Sequence, residues 1–105
     1  MNVFNGAGRL TANAVVNGKD RKALKFSIAA RYGYNKKEEK ELVEFVPCVM
    51  FEPSENQEKF LTEEGKGVYV EFQGRVSTSR YEVEGKTKYS TQVVLDKRSF
   101  HIVTK

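Results

Sequence analysis

Aromatic rings and cationic side chains recur together along this chain. Tyr32 and Tyr34 lie between Arg31 and Lys36. Phe45 and Phe51 bracket an apolar run, and Tyr81 follows Arg75 and Arg80, with Lys86 and Lys88 close behind. Flat rings hold unpaired nucleobases by stacking, worth about 1–3 kcal/mol per base with little regard to sequence, while Lys and Arg neutralise the phosphates. The chemistry these residues suit is the holding of a single-stranded nucleic acid.

Competing chemistries lack their residues. The one histidine, His101, lies between Phe100 and Ile102 and reads as a partly buried strand residue, not a base. One His and one Cys cannot assemble a zinc site of the usual ligand count. There is no P-loop, dinucleotide fingerprint or nucleophile elbow. Glu38-Glu39 and Glu63-Glu64 fall in a charged loop and at a helix end, and both pairs read as solvated. Gly6-Ala7-Gly8 is followed by no helix, so a bulged first strand suits it better than a phosphate cradle. Cys48 lies in an apolar run and reads as a buried, inert thiol; as the single cysteine it excludes an internal disulfide. The expectation is a binding protein with no catalytic residues, no metal and no cofactor.

The 105 residues make one domain, residues 1–105, with a small core. Net charge is +4, distributed as +5 over residues 1–35, −5 over 36–71 and +4 over 72–105. Basic outer segments around an acidic middle suit a polyanion partner. No apolar run approaches membrane-spanning length, and MNVFNGAGRL has no signal-peptide pattern, so a cytoplasmic location without membrane association is expected.

Elements to position these residues follow from the alternation of side chains. Val3 to Val16 reads as an interrupted strand ending at the hairpin signal Asn17-Gly18, with Lys19 to Lys22 as a basic tip. Ala23 to Ala30 alternates cleanly: Leu24, Phe26, Ile28 and Ala30 on one face, Lys25, Ser27, Ala29 and Arg31 on the other. Residues 36–41, KKEEKE, form a mobile loop or an extended hairpin tip. Leu42 to Phe51 is the third strand, with Val46, Cys48 and Met50 opposed in parity to Phe45, Pro47, Val49 and Phe51. Pro47 cannot donate to a ladder, so it belongs at an edge or a bulge. Ser54 caps a helix of about Ser54 to Glu64, with Gln57 completing a capping box and Gly65 ending it.

Val70 to Tyr81 is the fourth strand. Val70, Phe72, Gly74 and Val76 face the core; Glu71, Gln73, Arg75, Ser77, Ser79 and Tyr81 face out, and Gly74 is the expected bend. Gly85 pivots a turn into a fifth strand, Tyr89 to Leu95, which Phe100 to Val103 extends or follows. Phe26, Phe60 and Phe72 belong to the core. Strand, strand, strand, helix, strand, strand in so short a chain closes most simply as an all-β, five-stranded antiparallel OB-fold barrel with the helix between strands three and four. The other arrangement is an open sheet with one helix packed on a face.

Several stretches resemble the bacterial and phage single-stranded DNA-binding proteins. Gly8-Arg9-Leu10-Thr11 is similar to their first strand, Lys25-Phe26-Ser27-Ile28-Ala29-Ala30 to their second, and Glu44 through Phe51 to their third. Phe60-Leu61 with Gly65 resembles the family's helix end, Val70 through Tyr81 its fourth strand, and Tyr89 through Val94 its fifth. Carried over by position, the family's stacking residues fall on Tyr34, Phe45, Phe51 and Tyr81. Three of these are usually Trp, and Val46-Pro47 stands where a His-Arg-like pair is usual. Arg9, Lys25, Arg31, Arg75, Arg80, Lys86 and Lys88 are the candidate phosphate contacts.

The resemblance implies sequence-tolerant binding of single-stranded DNA, with RNA as the other single-stranded candidate, in replication, recombination or repair. It also implies a homotetramer, or failing that a homodimer. Family members usually continue into a flexible segment with an acidic tip that recruits replication and repair proteins; this sequence ends at Thr104-Lys105. A barrel without that tail also resembles the primosomal replication proteins, which implies the alternative of an adaptor holding a replication protein as well as single-stranded DNA.

Overall fold

A computed structural model describes residues 2–104. The elements are β1 (Phe4–Leu10), β2 (Val15–Asn17), β3 (Ala23–Asn35), β4 (Lys40–Phe51), α1 (Glu55–Glu64), β5 (Tyr69–Val83), β6 (Lys86–Leu95) and β7 (His101–Thr104). Five strands pair in a closed ring, β1-β3-β4-β6-β5 and back to β1. This is the expected OB-fold arrangement, with the single helix between the third and fourth ring strands. The long first strand breaks after Leu10, and its end returns as β2 on β3. The tail at Phe100–Val103 becomes β7, antiparallel on the first part of β5, with Val70 opposite Ile102.

Strand direction round the ring obeys a parity constraint. Four seams are antiparallel, while β4 and β6 run parallel, Cys48 opposite Val93 and Val49 opposite Val94. An odd number of strands cannot alternate direction all the way round, so a closed ring of five requires one parallel seam. Pro47 lies just before the first residue of that short seam, consistent with its inability to donate to a ladder.

The core is the inward parity of these strands. Leu10, Leu24, Phe26, Ile28, Cys48, Met50, Val70, Phe72, Val93 and Leu95 are buried in one cluster. Phe26 meets Phe100 edge to face at 6.1 Å, and Phe4 stacks on Phe72 at 6.1 Å. Phe60 is partly buried against the cluster. Burial pushes the Cys48 thiol up to about 12, so it is protonated and unreactive as expected.

Gly74 is where β5 changes partners: it is opposite Phe4 of β1 and opposite Leu95 of β6. A Cβ there would collide with the Val94 carbonyl oxygen and crowd Val93 Cγ1 at 3.0 Å. The expected bend position is thus a crossing of two seams that needs glycine for close approach, not for an unusual φ.

Helix α1 starts as its sequence dictates. Ser54 Oγ accepts from Gln57 N at 3.2 Å, and Gln57 Oε1 accepts from Ser54 N at 3.0 Å. Leu61 is its buried residue, and its carbonyl accepts from Ala14 N at 2.9 Å. Gly65 ends the helix in a right-handed conformation; the left-handed turn comes at Gly67, φ +84°.

Two hairpin arms project beyond the ring. The first joins β3 to β4: the expected 36–41 segment is a hairpin tip over residues 36–39 only, Lys40 and Glu41 already pairing with Asn35 and Tyr34. Asn35 Oδ1 accepts from Lys37 N at 3.0 Å and Glu38 N at 3.3 Å. The second joins β5 to β6 through Glu84 (φ +51°) and Gly85 (φ +77°), the paired positive angles of a tight hairpin turn. The radius of gyration, 15.0 Å, exceeds the value of about 13 Å for a compact chain of this length, because the arms extend the molecule.

Candidate nucleic-acid interface

Strand pairing carries one outward face across four strands. Partners directly opposite share a face, so the β3–β4 register joins Lys25 to Val49, Ser27 to Pro47, Ala29 to Phe45 and Arg31 to Val43. The parallel seam joins Val49 to Val94, and the β5–β6 register joins Val94 to Arg75, Gln92 to Ser77, Ser90 to Ser79, Lys88 to Tyr81 and Lys86 to Val83. A register shift between Arg31 and Gly33 adds one residue to β3. It brings Tyr34, opposite Glu41, onto the face that also holds Arg31.

The expected stacking residues meet here. Phe45 is 67% exposed, Tyr34 and Phe51 49% and Tyr81 45%. Phe45 and Phe51 are six residues apart on β4, about 20 Å, and Tyr34 is level with Glu41, about 13 Å before Phe45. The three rings thus follow a line of about 33 Å along the β3–β4 pair. Tyr81 stands on the second arm. Between Phe45 and Phe51, Val49 is fully buried yet lies outside the core cluster, as a residue does when outward neighbours cover it.

The cations divide. Lys25, Arg31, Arg75, Lys86 and Lys88 share the outward face with the rings. Glu41 is the one acid of that face over the paired stretches just traced; Glu71 of β5 also points out, but before Gly74, where β5 pairs with β1 and β7. Glu41 lies 3.5 Å from Arg31 with both side chains 60% exposed, a pair worth under about 1 kcal/mol and easily exchanged for a phosphate. Arg9 is engaged elsewhere: its guanidinium donates to the Gly67 carbonyl at 2.9 Å and lies 5.6 Å from the Tyr69 ring centre. Arg80 falls on the opposite face of its arm from Tyr81, across from Tyr89.

Two exposed rings stand beside the set carried over by resemblance. Tyr32 occupies the register shift, and Tyr89 pairs with Arg80. Their signal was the same ring-beside-cation pattern, but only the register tells on which face each lies. His101 is exposed and opposite Glu71 on β7, not partly buried. Its strand lies on the rim of the sheet, where alternation puts it outward. No group of three or more metal-ligating side chains converges among the described residues.

No curated protein matches the chain. Among solved structures, a chain described as "Plasmodium falciparum SSB complex with ssDNA" matches with a TM-score of 0.76 at 18% identity, over 100% of this chain and 95% of that one. At that identity the likeness is one of fold. The model of the single-strand binding protein family matches residues 1–101, across the whole ring and both arms. With so nearly complete a match, the chain belongs to the single-strand binding protein family, whose members bind DNA and are not enzymes.

Proposed function

We propose that the protein coats single-stranded DNA by laying it across the outward face of β3, β4, β6 and β5. Binding of single strands follows from the family; the placement of the strand is our reading. It is supported by the meeting of Tyr34, Phe45, Phe51 and Tyr81 with Lys25, Arg31, Arg75, Lys86 and Lys88 on one continuous face that, with β5 counted from Arg75 onward, carries a single acid. Bases stack on the rings and phosphates run past the cations, so recognition is tolerant of sequence. Arg80 serves the strand from the far face of the second arm; Arg9 contributes only if its contacts to Gly67 and Tyr69 open.

The test is titration of labelled oligo(dT) against salt, beside duplex of equal length. Tight single-strand binding at moderate salt that falls as salt rises is the expected outcome. Equal affinity for duplex would refute it.

Assembly into a homotetramer, or else a homodimer, is part of the proposal. β1 pairs with β3 only at Arg9 and Leu10, so no strand covers that edge over Phe4 to Gly8 among the described residues. Such an edge supports pairing with a second copy, and several tracks in one particle raise affinity through effective concentration. Light scattering tests it. The setting we propose is cytoplasmic DNA replication, recombination or repair, with DNA rather than RNA as the strand.

A further inference from the structure

We infer that Arg21 and Glu52 make the Phe51 end of the track a base-selective subsite that prefers guanine. The inference rests on the strand placement proposed above. Arg21, Phe51 and Glu52 line one open cavity of about 420 Å³. It is formed where the last outward ring of β4 meets the 18–22 loop. The two charges share this cavity without pairing: no ion pair joins Arg21 to Glu52, and neither side chain has another partner among the described residues.

The main chain at this place is held firmly. Glu52 adopts φ +50°, a left-handed conformation that non-glycine residues take up rarely and that clusters at functional positions. It is clamped from both sides: Glu52 N donates to the Lys22 carbonyl at 2.8 Å, and Lys97 Nζ donates to the Glu52 carbonyl at 2.7 Å. The loop carrying Arg21 is tied down in turn by Lys22 Nζ, 3.1 Å from Glu58 Oε1 on α1. An acceptor and a donor fork are therefore presented from fixed backbone beside an exposed ring.

A base stacked on Phe51 turns its polar edges toward these groups. Unstacked bases in single strands are read on their Watson–Crick and Hoogsteen edges. Guanine alone among the four bases offers two adjacent donors, N1–H and N2–H, for a carboxylate. On the neighbouring edge it offers two adjacent acceptors, O6 and N7, for a guanidinium. Thymine, cytosine and adenine each leave at least one charged group half-satisfied.

The experiment compares a dT oligomer just long enough to fill the track with the same oligomer carrying one dG, dA or dC at each position in turn. At its best position dG tightens binding about fivefold or more over dT, the low end of what a bidentate contact supplies, because the cavity is open to water. Glu52→Gln and Arg21→Gln each bring the dG-to-dT ratio within twofold. Glu63→Gln, in the last turn of α1 and outside the cavity lining, leaves the ratio as it was. Melting curves confirm that the variants are folded; the clamps on Glu52 are main-chain contacts that glutamine keeps. A parent protein that binds dT but gains less than twofold from dG at every position would overturn the inference, as would a preference for another base or a ratio that survives Glu52→Gln. Failure to bind dT at all would overturn the strand placement itself.

Discussion

Replacing Phe45 with alanine separates stacking from folding. Phe45 is 67% exposed, so about a third of its surface is packed. An enclosed phenylalanine buries about 150–250 Å², which leaves about 50–80 Å² at stake here. At about 25 cal/mol per Å² that is roughly 1–2 kcal/mol, as an upper figure. Each kcal/mol lowers the Tm of a domain this size by about 4–8 °C, so F45A melts earlier but remains folded at 25 °C. Phe72, only 5% exposed, is the contrast: its truncation costs about 3–5 kcal/mol and threatens the fold. The loss in DNA binding has a different source. A lost stack of about 1–3 kcal/mol weakens oligo(dT) binding about 5- to 150-fold. No charge is removed, so the slope of log affinity against log salt stays that of the parent. Fluorescence anisotropy with labelled oligo(dT) over a salt series reads both quantities, and circular dichroism reads the melt. Affinity within twofold of the parent in a folded F45A protein would refute the stacking role. So would a weaker affinity accompanied by a shallower salt slope.

Arg75→Ala should do the converse, reducing the salt slope by about 0.7, the counterion release of one phosphate contact on a single strand; an unchanged slope takes Arg75 off the track. Gly74→Ala forces the β5–β6 seam apart at Val94 and should cost about 1–3 kcal/mol, measured by urea unfolding with a folded parent beside it. The Cys48 thiol stays protonated to about 12 in the folded protein against 9.0 in the unfolded chain. Its contribution is thus fully present below pH 9.0 and is lost as pH rises toward 12, because only the unfolded chain has then released the proton. A thiol reagent at pH 8 should accordingly label Cys48 slowly in buffer and rapidly in urea; fast labelling of the native protein would contradict its burial.

Local pattern alone determined much of this protein. Alternation in Ala23–Ala30 and Val70–Gly74 assigned the core face, because a strand with one buried side repeats every two residues whatever it pairs with. The same alternation placed Val76 in the core, but Val76 is 41% exposed, since it lies past Gly74, where β5 has left β1 and runs out toward the second arm. The Ser54–Gln57 capping box placed the helix start, since both partners lie within one turn. The same alternation turned Phe45, Phe51 and Tyr81 outward before any partner strand was known. Other features depend on pairing between distant segments. The register shift after Arg31, which sets Tyr34 on the outward face with Arg31, comes from the match of β3 to β4 and leaves no trace in β3 itself. Arg9 bears the same charge as Arg75, but its bond to Gly67 ties it to β5's neighbourhood, 58 residues away in sequence. Arg80 and Tyr81 are neighbours in the chain and opposite in space, because a strand presents successive side chains to different faces. Glu52 lies beside Arg21 only because β4 ends against the 18–22 loop, a meeting of segments that no local spacing encodes. Residue type selected the chemistry; closure of the ring decided which residues share a surface.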